Sequence, residues 1–219
     1  MGGIRDLRTL KVEYKRLRPV ITSRIKSFQQ RLYRVEESEL FCELVYVLLA
    51  AGSSATSALR GEKELQGIYE TNPLLSRKVI CQKLRRASCR FHTVKGGYIH
   101  SALIFFKQRG LRKTLLTELK SGKENLRDFL VANIKGMGYK ASSHFLRNIG
   151  VFGLAILDKH IVNSMRELGL VEADTIAPVK RDDYLKMENI FRGTAEDMGF
   201  TVEELDLLLW GLKTGKILK

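Results

Sequence analysis

Apolar residues recur at three- and four-residue spacing along most of this 219-residue chain, and only Pro19, Pro73 and Pro178 interrupt it. Proline breaks helix interiors, so its scarcity permits long helices. Gly96-Gly97 is the clearest other interruption, and we expect a break there between two helical stretches. Alternation typical of a strand occurs only weakly, at residues 91–94. The pattern therefore predicts an all-α fold, in one domain or in two lobes that share a cleft.

Positive charge is concentrated in two segments of the chain. The formal net charge is +14, and residues 1–34 contain ten Lys or Arg against two acidic residues. Residues 77–95 contain seven Lys or Arg and no acidic residue. Such uneven basic charge is typical of proteins that bind polyanions, most often nucleic acid. A charged surface that serves solubility alone is the alternative.

Membrane and metal functions find little support in the sequence. The longest apolar run, Leu44 to Ala51, is too short to span a bilayer, and the N-terminus has no secretory apolar region. Cys42, Cys81 and Cys89 lack the spacing of metal ligands and are too few for a four-cysteine iron–sulfur cluster. They are typical of reduced thiols in a cytoplasmic protein.

A glycine-containing turn at residues 134–139 separates two helical patterns. We expect Gly136 and Gly138 to permit positive φ and a close approach of another chain, so that backbone amides can bind a phosphate or a bridging cation. Lys140 follows at the start of the next helix, where the positive end of the helix dipole favours a lowered pKa and a nucleophilic amine. A simple phosphate contact is the alternative role for this lysine.

Asp158 lies 18 positions after Lys140, at the predicted start of a further helix. Aspartate is a preferred N-cap residue, and capping alone would explain its position. The same carboxylate can also stabilise positive charge that develops on a sugar ring, provided that it faces a cleft.

Two segments carry a resemblance to a known superfamily. Lys-Gly-Met-Gly-Tyr-Lys at 135–140 and Leu-Asp-Lys-His-Ile at 157–161 resemble the signature of helix-hairpin-helix DNA glycosylases. Residues 139–148, together with a tail that carries Trp210 and ends in Lys219, are similar to the archaeal-type 8-oxoguanine DNA glycosylase/AP lyase family. The resemblance implies one unit, 1–219, of two helical lobes at approximately 36–110 and 111–219, together with the N-terminal helix 1–35. The helix-hairpin-helix motif would lie at the DNA-binding cleft.

The resemblance also implies roles for matched residues. Lys140 would attack C1′ of the damaged nucleotide and form a Schiff base, and Asp158 would assist that attack. Gly136 and Gly138 would place amides against a DNA phosphate, often through a bound monovalent cation. His160 would contact a phosphate, or would be an ordinary surface histidine.

Four further residues are expected to contact DNA or the damaged base. Trp210 and the terminal carboxylate of Lys219 resemble the family's base-recognition pocket, although Trp210 is also compatible with plain core packing. Phe91, which follows Arg90 in the basic segment, is a candidate wedge that enters the duplex. Core packing is equally open for Phe91.

The implied activity is removal of 8-oxoguanine from duplex DNA, followed by β-elimination at the resulting abasic site, with no redox cofactor or catalytic metal. The enzyme would be a cytoplasmic monomer acting on the nucleoid DNA of a prokaryote, without a membrane or an obligate protein partner. Residues 50–54 lack the Asn or Gln that such glycosylases often place near the estranged base, which leaves discrimination of the opposite base in doubt. Alternatives are a non-catalytic helix-hairpin-helix module and a basic membrane-surface protein.

Overall fold

The computed structural model describes residues 6–217, and within that range it contains helices and no strand, as the sequence predicts. A single 3₁₀ turn, Ile68–Glu70, accompanies twelve α-helices in the described residues. In chain order the helices are α1 (Leu7–Phe28), α2 (Arg31–Arg34), α3 (Glu37–Ala50), α4 (Ala55–Glu64), α5 (Arg77–Arg86), α6 (His92–Arg109), α7 (Leu111–Leu119), α8 (Lys123–Asn133), α9 (Tyr139–Asn148), α10 (Lys159–Glu167), α11 (Arg181–Met198) and α12 (Val202–Thr214).

Side-chain caps explain several helix starts. Asp6 accepts a hydrogen bond from the amide of Thr9 at 2.7 Å and begins α1. At α12 the Thr201 hydroxyl accepts from the Glu204 amide at 3.2 Å, while the Glu204 carboxylate accepts from the Thr201 amide at 2.8 Å. This reciprocal pair is a capping box, and it satisfies two amides that the helix itself leaves without partners.

The predicted helix break at Gly96-Gly97 is wrong, because α6 runs through both glycines. A β-carbon at Gly96 would lie 2.5 Å from Sγ of Cys81 in α5. The close packing of α5 and α6 therefore requires glycine at position 96. The helix continues through this glycine although glycine has a low helix propensity.

The chain divides into two compact units, one formed by residues 30–145 and the other by the segment up to Gln29 together with the segment from Leu146. The division falls within α9, between Phe145 and Leu146. Residues 111–145 join the same unit as residues 36–110 because α7 packs against α3, α6 and α8.

In the unit of residues 30–145, α3 forms the centre of the core. Its residues from Leu44 to Leu49 are all buried, and α3 packs against α4, α6 and α7. In the other unit, α1, α10 and α11 pack against α12, whose apolar residues from Leu207 to Leu209 are buried. A buried ion pair between Arg147 and Asp206 joins α9 to α12 within that unit.

No helix of residues 6–217 combines the length and the apolar character needed to cross a bilayer.

Candidate nucleic-acid site

The turn between α8 and α9 is anchored by two apolar side chains and leaves its backbone exposed. Ile134 and Met137 are buried, at 2% and 3% exposure, and the Met137 amide donates to the Ile134 carbonyl at 3.0 Å. Lys135, Gly136 and Gly138 are exposed. The predicted hairpin is therefore present, and we call residues 134–138 the hairpin below.

The two hairpin glycines serve different purposes. Gly136 has φ +90°, a conformation that side chains rarely adopt, and it lies against Tyr98 and Leu48. Gly138 is not among the positive-φ glycines, so that part of the prediction is wrong for position 138. A β-carbon at Gly138 would meet no atom within 4 Å. Because Gly138 has no side chain, a shallow depression of about 360 Å³ stays open beside it, lined by residues 131, 132 and 134–138.

Lys140 is the second residue of α9 and is half-buried. The amide of Ser142 donates to the Gly138 carbonyl at 2.9 Å, so the helix begins directly at the hairpin. Every residue from Ala141 to Ile149 is buried. The first-turn amides and Lys140 are thus presented by a rigid element, as anion binding and catalysis both require.

A buried arginine supports the start of α9. Arg127, in α8, has no exposed surface and donates from Nη1 to Oγ of Ser143 at 3.2 Å. Its guanidinium carbon also lies 5.5 Å from the ring centroid of Tyr139, the residue next to Lys140. Sequence reasoning missed this residue, although its position three residues before the buried Leu130 places both on one helix face.

Asp158 belongs to the other unit and is the N-cap of α10, as predicted. Its Oδ1 accepts hydrogen bonds from the amides of His160 at 2.8 Å and Ile161 at 2.9 Å. Neither bond uses Oδ2, and the residue is half-buried. The carboxylate is therefore held in place through one oxygen while the other is left for a further role.

Residues 154–157, directly before Asp158, are buried and belong to no helix, and α11 fixes their backbone. The amide of Ala155 donates to the Glu188 carboxylate at 2.8 Å, and the amide of Leu157 donates to the Tyr184 hydroxyl at 3.2 Å. These contacts hold Asp158 by its preceding backbone as well as by its cap.

His160 and Trp210 lie in the same unit as Asp158, and both are half-buried. Trp210 is thus not fully enclosed in the core, and α12 carries it one residue after the buried Leu209. Lys219, the other residue expected to recognise the base, lies outside the described residues.

Phe91 lies in the unit that contains the hairpin and is 52% exposed, which rules out core packing for its side chain. Its φ is +58°, and the guanidinium carbon of Arg90 lies 4.6 Å from its ring centroid. The exposed phenyl ring is therefore stacked on arginine, in a backbone conformation that phenylalanine rarely adopts.

Behind Phe91 lies Lys95, a buried residue that sequence reasoning did not single out. Its ammonium donates to the Leu49 carbonyl at 2.6 Å and to Oγ of Ser53 at 2.8 Å, and it lies 5.9 Å from the Phe91 ring centroid. Burial lowers the pKa of Lys95. Lys95 therefore connects the C-terminal end of α3 with the side chain of Phe91.

The part of the chain that the structure describes contains no group of three or more His, Cys, Asp or Glu side chains able to hold a metal ion.

Known proteins resemble this chain along most of its length. The family model for 8-oxoguanine DNA glycosylase matches residues 21–200. The 8-oxoguanine DNA glycosylase/AP lyase of Methanocaldococcus jannaschii is 34% identical over 203 residues, which cover 93% of each chain. The enzyme of the same name from Thermotoga maritima is 34% identical over 214 residues, covering 98% of this chain and 97% of its own.

Solved structures give the same result. The 8-oxoguanine DNA glycosylase of Thermotoga maritima superposes with a TM-score of 0.84 at 34% identity, covering 97% of this chain and 98% of its own. The Methanocaldococcus jannaschii 8-oxoguanine glycosylase/lyase in complex with 15mer DNA containing 8-oxoguanine gives 0.83 at 31% identity, covering 97% of this chain and all of its own.

Proposed function

Because this chain belongs to the 8-oxoguanine DNA glycosylase family, we propose that Lys140 and Asp158 carry its glycosylase and lyase reactions. The enzyme removes 8-oxoguanine from duplex DNA and cleaves the strand at the resulting abasic site. The observation that carries the assignment of Lys140 is its position: it stands in the first turn of the buried helix α9, directly behind a hairpin that exposes bare backbone.

Lys140 acts as the nucleophile. Its Nζ forms a bond to C1′ of the damaged nucleotide while the bond from C1′ to the base breaks, and the base departs with the bonding electron pair and takes up a proton. Opening of the sugar ring gives an imine between Nζ and C1′. Loss of a proton from C2′ then expels the 3′ phosphate by β-elimination, and hydrolysis of the imine returns the free lysine.

Asp158 stabilises the positive charge that develops on the sugar as the base departs. Oδ1 is committed to the amides of His160 and Ile161, so Oδ2 is the oxygen that faces this task. A carboxylate fixed before the reaction stabilises the transition state without reorganising, which is the main source of such catalysis.

The hairpin binds a phosphate of the DNA backbone. The open space beside Gly138 allows the close approach, and the first-turn amides of α9 favour negative charge. The exposed glycine backbone at 136 and 138 also fits a monovalent cation, which would bridge the protein to the phosphate. His160 supplies a further phosphate contact.

The damaged nucleotide leaves the base stack, and a protein side chain fills the space that it leaves. Phe91 enters the duplex as a wedge, Arg90 contacts the backbone next to it, and Trp210 with the terminal carboxylate of Lys219 recognises the extruded purine. We expect the enzyme to act as a cytoplasmic monomer on the nucleoid DNA of a prokaryote.

Borohydride trapping tests the assignment of Lys140. Sodium borohydride reduces the imine during reaction with an 8-oxoguanine duplex, so the wild-type protein should become covalently joined to the strand. Lys140→Gln should give no adduct. Lys135→Gln, which removes the same charge from the exposed hairpin, should still give the adduct. Absence of an adduct with the wild-type protein would instead favour a non-catalytic helix-hairpin-helix module.

A further inference from the structure

The helix α1 carries a row of basic side chains that the proposed chemistry does not use. Arg8, Lys11, Lys15, Arg18 and Lys26 are all exposed. At about 100° per residue they fall within an arc of about 80° on one face of the helix, and the row from Arg8 to Lys26 is about 27 Å long. We call these five residues the α1 stripe.

The orientation of the α1 stripe is fixed by the buried face of the helix, which lies to one side of the stripe. Leu10, Ile21 and Phe28 are buried, at 0%, 0% and 3% exposure, and α1 packs against α12. The hydroxyl of Tyr14 also donates to Oε1 of Glu204 in α12 at 2.5 Å. The stripe therefore belongs to a docked, rigid helix.

Neither Asp6, the cap of α1, nor Glu13 within the helix forms an ion pair with the stripe. Asp6 accepts from the Thr9 amide as the cap, and Glu13 pairs with Arg16 at 2.5 Å, on another side of the helix. Among residues 6–217, no carboxylate lies within ion-pair distance of any member of the stripe. Five like charges in a row repel one another, which favours an anionic partner outside the chain.

We propose that the α1 stripe binds the phosphate backbone of duplex DNA, as a contact additional to the hairpin and independent of the damaged base. The proposal rests on the proposed function only in taking duplex DNA as the partner. A row of about 27 Å matches the rise of about eight base pairs at 3.4 Å each. A membrane surface fits less well, because amphipathic helices insert an apolar face, and the apolar face of α1 is already buried.

The salt dependence of binding to an undamaged duplex tests the stripe. Each phosphate that the protein neutralises contributes about −0.9 to the slope of log affinity against log salt. The variant Lys11→Gln/Lys15→Gln/Lys26→Gln should therefore have a slope less negative than the wild type by about 0.9 for each phosphate that it no longer neutralises. Single-turnover cleavage of an 8-oxoguanine duplex at saturating protein should change less than about twofold, since the stripe does not touch the reacting nucleotide.

Two single variants provide the matched control. Lys15→Gln and Arg16→Gln remove the same charge at neighbouring positions, but Arg16 lies outside the stripe and is paired with Glu13. Only Lys15→Gln should make the slope less negative. All the altered side chains are exposed, and thermal denaturation followed by circular dichroism should show unchanged folding.

An unchanged slope in the triple variant, or equal effects of the two single variants, would overturn the proposal while leaving the catalytic assignment intact. Tighter binding of the wild type to phosphatidylserine vesicles than to duplex at equal salt would also overturn it, in favour of a membrane surface. Failure of borohydride trapping together with the expected change in slope would contradict the catalytic assignment alone.

Discussion

The ring of Tyr98 occupies the space that a side chain at Gly136 would need. A β-carbon at position 136 would lie 2.5 Å from Cδ2 and 3.0 Å from Cε2 of Tyr98, and the φ of +90° is itself unfavourable for any other residue. The hairpin therefore depends on a glycine at 136 for its shape. At position 138 the same β-carbon would point into open space, so no neighbouring atom of the protein requires glycine there.

Gly136→Ala should destabilise the protein. The left-handed conformation costs about 1–2 kcal/mol for a residue with a β-carbon, and the contact with Tyr98 adds about 1–3 kcal/mol. Urea denaturation should show the lower free energy of unfolding. Gly138→Ala should lower the free energy of unfolding by no more than about 1 kcal/mol, the difference between glycine and alanine at a helix N-cap, yet should bind duplex more weakly. Equal stability losses for the two variants would contradict this assignment.

Asp158→Asn should separate capping from catalysis. Asparagine caps helices as well as aspartate does, so its free energy of unfolding should change by less than about 0.5 kcal/mol, whereas Asp158→Ala should lose about 1 kcal/mol. Both variants lack the carboxylate, and single-turnover cleavage of an 8-oxoguanine duplex should slow by about 100-fold or more. Full activity in Asp158→Asn would show that Asp158 is a structural cap alone.

Local sequence signals predicted the parts of the fold that depend on neighbours in the chain. The cap at Asp158 and the capping box at Thr201 follow from residue preferences over two or three positions, and both are present. The hairpin was also predictable, because glycines between two helical patterns mark a turn. Its helix begins at Tyr139, so Lys140 lies inside the first turn.

Contacts between distant residues could not be predicted from the sequence. The ammonium of Lys95 bonds to the Leu49 carbonyl, 46 positions away, and Gly96 is required by Cys81 in a neighbouring helix. Periodicity identifies a buried face but not the partner that covers it. Nothing in the basic segment at 77–95 therefore indicated that its last lysine, Lys95, is only 5% exposed.

Lys95→Met should destabilise the unit of residues 30–145. The substitution keeps most of the buried volume but removes both hydrogen bonds of the ammonium and leaves the Leu49 carbonyl without that donor, which costs about 1–3 kcal/mol. Urea denaturation measures the loss, and Lys78→Met at an exposed position of α5 is the matched control. If Lys95 also positions Phe91, the variant should bind duplex more weakly at a temperature where it remains folded. Equal stability of the two variants would contradict the role of the buried ammonium.

Tyr14 should make the stability of the protein decline at high pH. Burial and the carboxylate of Glu204, which accepts from its hydroxyl, raise the pKa of Tyr14 from 10.0 to about 12. The folded state holds this proton more tightly than the unfolded state, so the stabilisation is complete below about pH 10 and is lost as the pH rises from 10 to about 12. Tyr14→Phe should therefore show a shallower decline of the free energy of unfolding across that window. Part of the decline should persist, because the pKa of Tyr69 is also raised to about 12 by burial and by Glu37.

Urea denaturation at several pH values measures the slope, with Tyr33→Phe as the control at an exposed tyrosine. An unaltered slope in Tyr14→Phe would show that the hydrogen bond to Glu204 does not couple α1 to α12 in this way.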